Sequence, residues 1–224
     1  MAVVVRKFKE VIDRLATKAT SREGLLAVVD AVVAARADTT DYDPYGTAGW
    51  RGWQMGTRRN REVHVDVAGW EKDDTDQVPS ILNPKLGLRI IVCNTDDATC
   101  VECDGNSGPQ NRSKKGAATD RAVANNQGSF METLEASIAD KVTKLQAPRQ
   151  MSPEQIVTYY LCVYVEGDDI RAELSSPRAV VNGYFDEFEE RIFIIGGDAE
   201  PPVAVARKED DDDGSDYPIT VKRK

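Results

Sequence analysis

Residues 158–175, TYYLCVYVEGDDIRAELS, constrain the fold more than any other stretch of the chain. Two alternating runs of β-branched and aromatic residues flank Gly167-Asp168-Asp169. Period-two alternation on both sides of a Gly/Asp turn predicts a β-hairpin. A chain that contains such a hairpin must find further strands to pair with it and something apolar to cover it.

Further strand signals exist. Residues 85–94, KLGLRIIVCN, form a dense apolar run that reads as a central strand, and ERIFIIGG (190–197) reads as another. REVHVDVAG (61–69) alternates, with Val63, Val65 and Val67 on one face and His64 and Asp66 on the other, which predicts a strand beginning at Arg61. VAVARK and ITVKRK alternate near the C-terminus, around the acidic run EDDDDGSDYP. Residues 203–224 therefore read as a terminal hairpin with an acidic loop, or as a tail.

Helical signals come first in the chain. Phe8, Val11, Ile12 and Leu15 repeat at i, i+3, i+4, i+7. Thr20 and Glu23 have capping-box spacing ahead of a second apolar face made by Leu25, Val28, Val29, Val32 and Val33. Residues 1–37 thus read as a helical hairpin. A longer helix is expected over about 119–145, since Phe130, Leu134, Ile138, Val142 and Leu145 fall near one face, with Gly128 as a break point. Ser152-Pro153-Glu154-Gln155 reads as one more helix start. Between these elements, residues 38–62 and 95–119 are rich in Gly and turn formers and read as two long loops. The order of elements predicts a single α+β domain over 1–224: a helical hairpin, then a mostly antiparallel sheet over 61–197 with one long inserted helix.

Charge and composition limit the function. The chain has 29 Lys and Arg against 38 Asp and Glu, a net charge of −9. That total argues against coating nucleic acid over the whole surface, but six acids crowd into 209–216 and hold most of the excess, so local basic sites survive. No apolar run approaches the ~20 residues of a membrane span, and MAVVVRKFKE does not read as a signal peptide. A cytoplasmic protein with reduced thiols and no membrane partner is expected.

The leading candidate site is basic. Arg58, Arg59 and Arg61 close the first long loop, just after Trp50, Arg51 and Trp53 in a glycine-rich run, and Arg112, Lys114, Lys115 and Arg121 cluster in the second. Guanidinium groups pair bidentately with phosphate, and a Trp can stack on a base. Both loops adjoin expected strands and so can converge at one sheet end. Arg58, Arg59, Arg61, Arg112, Lys114, Lys115 and Arg121 are the expected phosphate contacts, with Trp50 or Trp53 as the stacking platform.

Other chemistries have weaker sequence support. Cys100 and Cys103 form one CxxC, with Cys93 and Cys162 elsewhere, but no second CxxC or paired-histidine motif completes a zinc set. His64 is the one histidine, which leaves histidine-based catalytic pairs a single position. Walker A and GxGxxG patterns are absent, so no nucleotide cofactor is expected. Asp66 and Glu71, or the acids Glu166, Asp168, Asp169 and Glu173, could serve a divalent-metal nuclease, though the Glu-x-Lys spacing of restriction-type enzymes is missing. The resulting expectation is a non-catalytic module that engages a phosphate-bearing partner, nucleic acid first. The alternatives are a protein–protein adaptor, anchored by Tyr42, Tyr45, Trp50, Arg51 and Trp53, and the nuclease.

Overall fold

A computed structural model of the chain describes residues 2–65, 67, 69–102, 107–124, 126 and 156–196. Strand β1 (Val3–Val5) precedes helices α1 (Phe8–Ala16), α2 (Arg22–Ala37) and α3 (Thr47–His64). Strands β2 (Glu71–Asp73), β3 (Ser80–Asn83) and β4 (Leu88–Asn94) follow, and residues 117–124 are helical. After them come β5 (Val157–Glu166), β6 (Asp169–Pro177), β7 (Val180–Val181), β8 (Tyr184–Phe185) and β9 (Phe188–Ile195). Seven strands form one sheet in the order β1-β9-β6-β5-β4-β3-β2, while β7 and β8 make a separate small hairpin. Within the large sheet β1–β9 and β4–β5 pair parallel, and the other neighbours pair antiparallel. The class is α+β, as expected, with the helical segment ahead of most of the sheet.

The central hairpin forms where the alternation places it, turning through Gly167 at φ +58°. Strand β5 is buried on both faces. Tyr159, Leu161 and Val163 point into a core roofed by Val11, Leu15, Leu25, Val28 and Val32 of α1 and α2. Tyr160 and Cys162 point the other way, against Ile91, Cys93, Val123, Phe185 and Phe188. Two-sided burial explains why this strand reads as a nearly continuous apolar run.

The region 47–67 departs from the sequence expectation. Residues 47–60 are helix and not loop, and residues 61–64 continue that helix where a strand was expected. The buried side of α3 is built from Gly52, Gly56, Thr57, Asn60 and His64 at helical spacing. A Cβ on Gly56 would stand 2.5 Å from Cγ2 of Val32 in α2, and one on Gly52 would stand 2.9 Å from Cγ of Arg36. The two helices touch backbone against side chain, so the interface needs glycine and shows no apolar periodicity.

His64 correspondingly lies inside the protein, 4% exposed, and not on the outer face of a strand. Its Nδ1 lies 2.9 Å from the Asn60 carbonyl, which can only accept, so Nδ1 carries the proton. Nε2 then accepts from Thr20 Oγ1 at 2.8 Å. That bond takes Thr20 away from the expected capping box. The cap of α2 is Ser21, whose hydroxyl accepts from the Gly24 N–H at 3.0 Å.

On the second sheet face a buried ion pair holds the loop that follows β4. Arg191 Nε and Nη2 donate to the two oxygens of Glu173 at 2.9 and 2.7 Å, with both side chains at most 1% exposed. The remaining Arg191 donors reach the carbonyls of Ala98, Val101 and Ser107. Glu173 also accepts from the Cys100 N–H and the Ser175 hydroxyl. Glu173 is therefore part of the interior framework and not an exposed acid of the hairpin. The continuation of the inserted helix to 145, the start at Ser152, the segment 203–224, Asp66 and Cys103 lie outside the described residues. Among the described residues no helix is long and apolar enough to cross a membrane.

Candidate functional site

Strand β4 ends at Cys93 and Asn94, and the chain returns beside that end sixteen residues later. Thr95 pairs with Asn111 in an antiparallel bridge, and the Arg112 N–H donates to the Asn94 carbonyl at 3.1 Å. The Asn111 side chain fixes this return. Its amide donates to the Ser113 and Gly183 carbonyls at 2.7 and 2.9 Å, and its oxygen accepts from the Phe185 N–H at 2.9 Å. The Lys115 N–H also donates to Gly183 at 2.9 Å. The β7–β8 hairpin thus holds residues 111–115 in place.

A second wall is the start of α3. Gly46, at φ +84°, turns the chain into the helix, and no acidic residue occupies the first turn. Asn94 Nδ2 donates to the Gly49 carbonyl at 2.8 Å, tying this turn to the end of β4. The third wall is Arg36 in the last turn of α2, whose Nη2 donates to the Val165 carbonyl at 3.2 Å. Its Nε is buried without a hydrogen-bond partner. The position of a Gly49 Cβ lies 3.9 Å from Arg36 Nη1, so the guanidinium sits beside the N-terminal turn of α3.

These walls enclose a cleft of about 660 Å³ lined by Arg36, Arg112 and Lys115, by Tyr45, Trp50 and Trp53, and by Gly46, Ala48, Gly49, Cys93, Asn94 and Ser113. None of these residues is acidic. No ion pair engages Arg36, Arg112 or Lys115 among the described residues, although most other arginines of the protein have one. Burial lowers the pKa of Arg36, and the neighbouring Arg112 lowers it further. At the floor, burial pushes the Cys93 thiol up, and the adjacent Lys115 offsets part of that shift. The partial positive charge at the start of α3 has the same sign as the three side chains. Positive charge thus converges on the cleft, and none of its described lining residues supplies an anion.

The expected site residues divide between this cleft and the rest of the surface. Trp50, Trp53, Arg112 and Lys115 line it. Lys114 lies outside, its ammonium 6.0 Å from the Tyr184 ring centroid. Arg58 and Arg59 project from the exposed side of α3 and both pair with Glu62, at 2.7 and 3.4 Å. Arg61 ties α3 to the sheet edge through the Asp73 and Ser80 carbonyls and the Asp74 carboxylate. Arg121 pairs with Asp76 at 3.0 Å. Arg36 and Asn94 escape sequence reasoning because each ends a regular element, where the apolar pattern is the only signal and says nothing about polar neighbours.

The metal readings find less. Cys93, Cys100 and Cys162 are buried free thiols, and burial raises the pKa of each. Among the described residues no three His, Cys, Asp or Glu side chains gather as a metal site. Asp169 pairs with Arg171, Glu166 accepts from the Tyr164 hydroxyl, and Glu173 is engaged by Arg191. No protein-family model, curated protein or solved structure matches this chain.

Proposed function

We propose that the protein is a non-catalytic binding module that engages a phosphate-bearing partner, nucleic acid foremost, through the cleft at the end of β4. One observation carries the reading: Arg36, Arg112 and Lys115 share a cleft with no carboxylate among its described lining residues, beside the N-terminal turn of α3. Bringing like charges together costs free energy in the empty protein, and a bound anion reverses the sign of that cost. Guanidinium groups match phosphate oxygens in pairs. Trp50, 58% exposed at the rim, offers a ring face for a base.

The test is a titration of labelled single- and double-stranded DNA and RNA across a salt series, with and without Mg²⁺. Binding that weakens with salt is expected, and Arg112→Gln or Lys115→Gln should each flatten the log–log salt slope by roughly one. An unchanged slope in both variants removes the cleft from the contact surface. Products that appear only with Mg²⁺ would restore the nuclease reading. A second reading draws on the fully exposed rings of Tyr42 and Tyr45 in the α2–α3 connection. Exposed aromatics anchor protein interfaces, so a protein partner lost on replacing both with Ser, with no nucleic acid bound, would favour an adaptor.

A further inference from the structure

The cleft differs from an open basic groove in ways that narrow its ligand. Three elements wall it, namely the last turn of α2, the first turns of α3 and residues 112–115. Its floor is closed by Cys93, 1% exposed, and by the Asn94–Gly49 hydrogen bond that joins β4 to α3. A cleft walled by three elements over this floor holds one unit of a strand rather than a run of several, so its cations meet a single phosphate. The volume of about 660 Å³ lies in the range of small-ligand pockets, which suits one nucleotide unit and excludes a duplex.

The charge set points the same way. An internal phosphodiester carries one negative charge, while a terminal phosphomonoester carries close to two at neutral pH. Three cationic side chains and a helix N-terminus, with no acid among the lining residues, are matched to the dianion. Of the three aromatic residues that line the cleft, Trp50 and the fully exposed Tyr45 are open to solvent and available to the base next to that phosphate.

Building on the proposed phosphate-binding function, we infer that the cleft takes a nucleoside monophosphate group end-on, its phosphate held by Arg36, Arg112 and Lys115 and its base against Trp50 or Tyr45. A strand terminus and a free mononucleotide share this chemistry.

Labelled short single strands of one sequence, bearing a 5′-phosphate, a 3′-phosphate or neither, separate the possibilities by fluorescence anisotropy with the full chain. One phosphorylated form should bind at least about tenfold more tightly than the unphosphorylated strand. The preference should vanish in Arg36→Met and in Arg112→Gln, with Lys115→Gln as the further variant if either is unstable. Competition by nucleoside monophosphates at equal concentration identifies the source. Full displacement means a free nucleotide suffices, and none means that a strand end is read; both outcomes keep the inference. Equal affinity for all three strands overturns it while leaving phosphate binding intact. No binding to any strand or mononucleotide overturns both.

Discussion

Gly56 of α3 rests on Val32 of α2 so closely that a Cβ would stand 2.5 Å from the Val32 Cγ2 atom. Val32 is itself fully buried and Val92 lies 3.2 Å from the same point, so neither neighbour has room to withdraw. An alanine in a helix is favoured over glycine by about 1 kcal/mol. Overpacking a dense core costs about 1–3 kcal/mol. Sterics therefore outweigh propensity, and Gly56→Ala should lower the unfolding free energy by up to about 2 kcal/mol in denaturant titrations. A stabilised variant would mean that the helices do not meet at this distance. A Cβ at Gly52 would meet the flexible Arg36 stem at 2.9 Å and Val32 Cγ1 only at 3.3 Å, so Gly52→Ala should be milder.

The same contact explains what was legible in the sequence. The central hairpin, β4, β9 and the first two helices carry their burial on apolar side chains, and alternation or helical spacing reveals it. Helix α3 buries glycine, Thr57, Asn60 and His64 instead, so its inner face looks like a loop, and Val63 in its last turn alternates with Val65 and Val67 beyond its end to imitate a strand. The site followed the same division. Trp50, Trp53, Arg112 and Lys115 are recognisable by residue type, but Arg58, Arg59, Arg61 and Arg121 have the same types and meet carboxylates instead. Only the three-dimensional arrangement separates an arginine with an acidic neighbour from one without.

The Glu173–Arg191 pair holds Ala98, Cys100, Val101 and Ser107 of the segment after β4, the segment that leads to Arg112 of the cleft. Glu173→Gln leaves Arg191 charged and at most 1% exposed. Removing one partner of a buried pair costs about 3–5 kcal/mol. The variant should therefore unfold at much lower denaturant, whereas a double replacement by Leu and Met should recover part of the loss because no charge stays stranded. Equal stability of the single and double variants would show that the charge is not what matters.

His64 links stability to pH. Burial lowers its pKa from the ordinary 6.5, and the Asn60 carbonyl offsets only part of that shift. Below about pH 6.5 the unfolded chain takes up a proton that the folded protein resists, so stability falls as pH drops through that window. Asp73 and Glu190 act in a lower window. Burial pushes both carboxyls up, but Thr75, Ser80 and Arg89 around Asp73, and Lys18, Tyr159 and Arg14 around Glu190, outweigh it and leave both pKa values lowered. Their stabilisation is lost only as pH falls below the ordinary carboxylate range. Melting temperatures between pH 7.5 and 5 should therefore decline in the native protein and stay flatter in His64→Gln. The same decline in the variant would clear His64 of this role.

Arg36 distinguishes a binding site from a structural charge. A structural arginine is held by its partners, and truncating it destabilises the fold. Arg36 has one carbonyl acceptor, a buried Nε without a partner, a like charge in Arg112 and the positive end of α3 nearby. Met keeps the aliphatic stem that packs on Gly52 and removes the charge. The hydrogen bond to Val165 is worth about 1 kcal/mol, and relief of burial and of repulsion acts in the opposite direction. Arg36→Met should therefore keep the stability of the ligand-free protein within about 0.5 kcal/mol while weakening nucleic-acid binding and its salt dependence. Thermal unfolding with and without a bound oligonucleotide reads both effects in one experiment: the ligand should raise the melting temperature of the native protein and leave that of the variant nearly unchanged. A variant that melts several degrees lower without ligand, yet is still stabilised by it, would make Arg36 a structural residue and return the phosphate contacts to Arg112 and Lys115 alone.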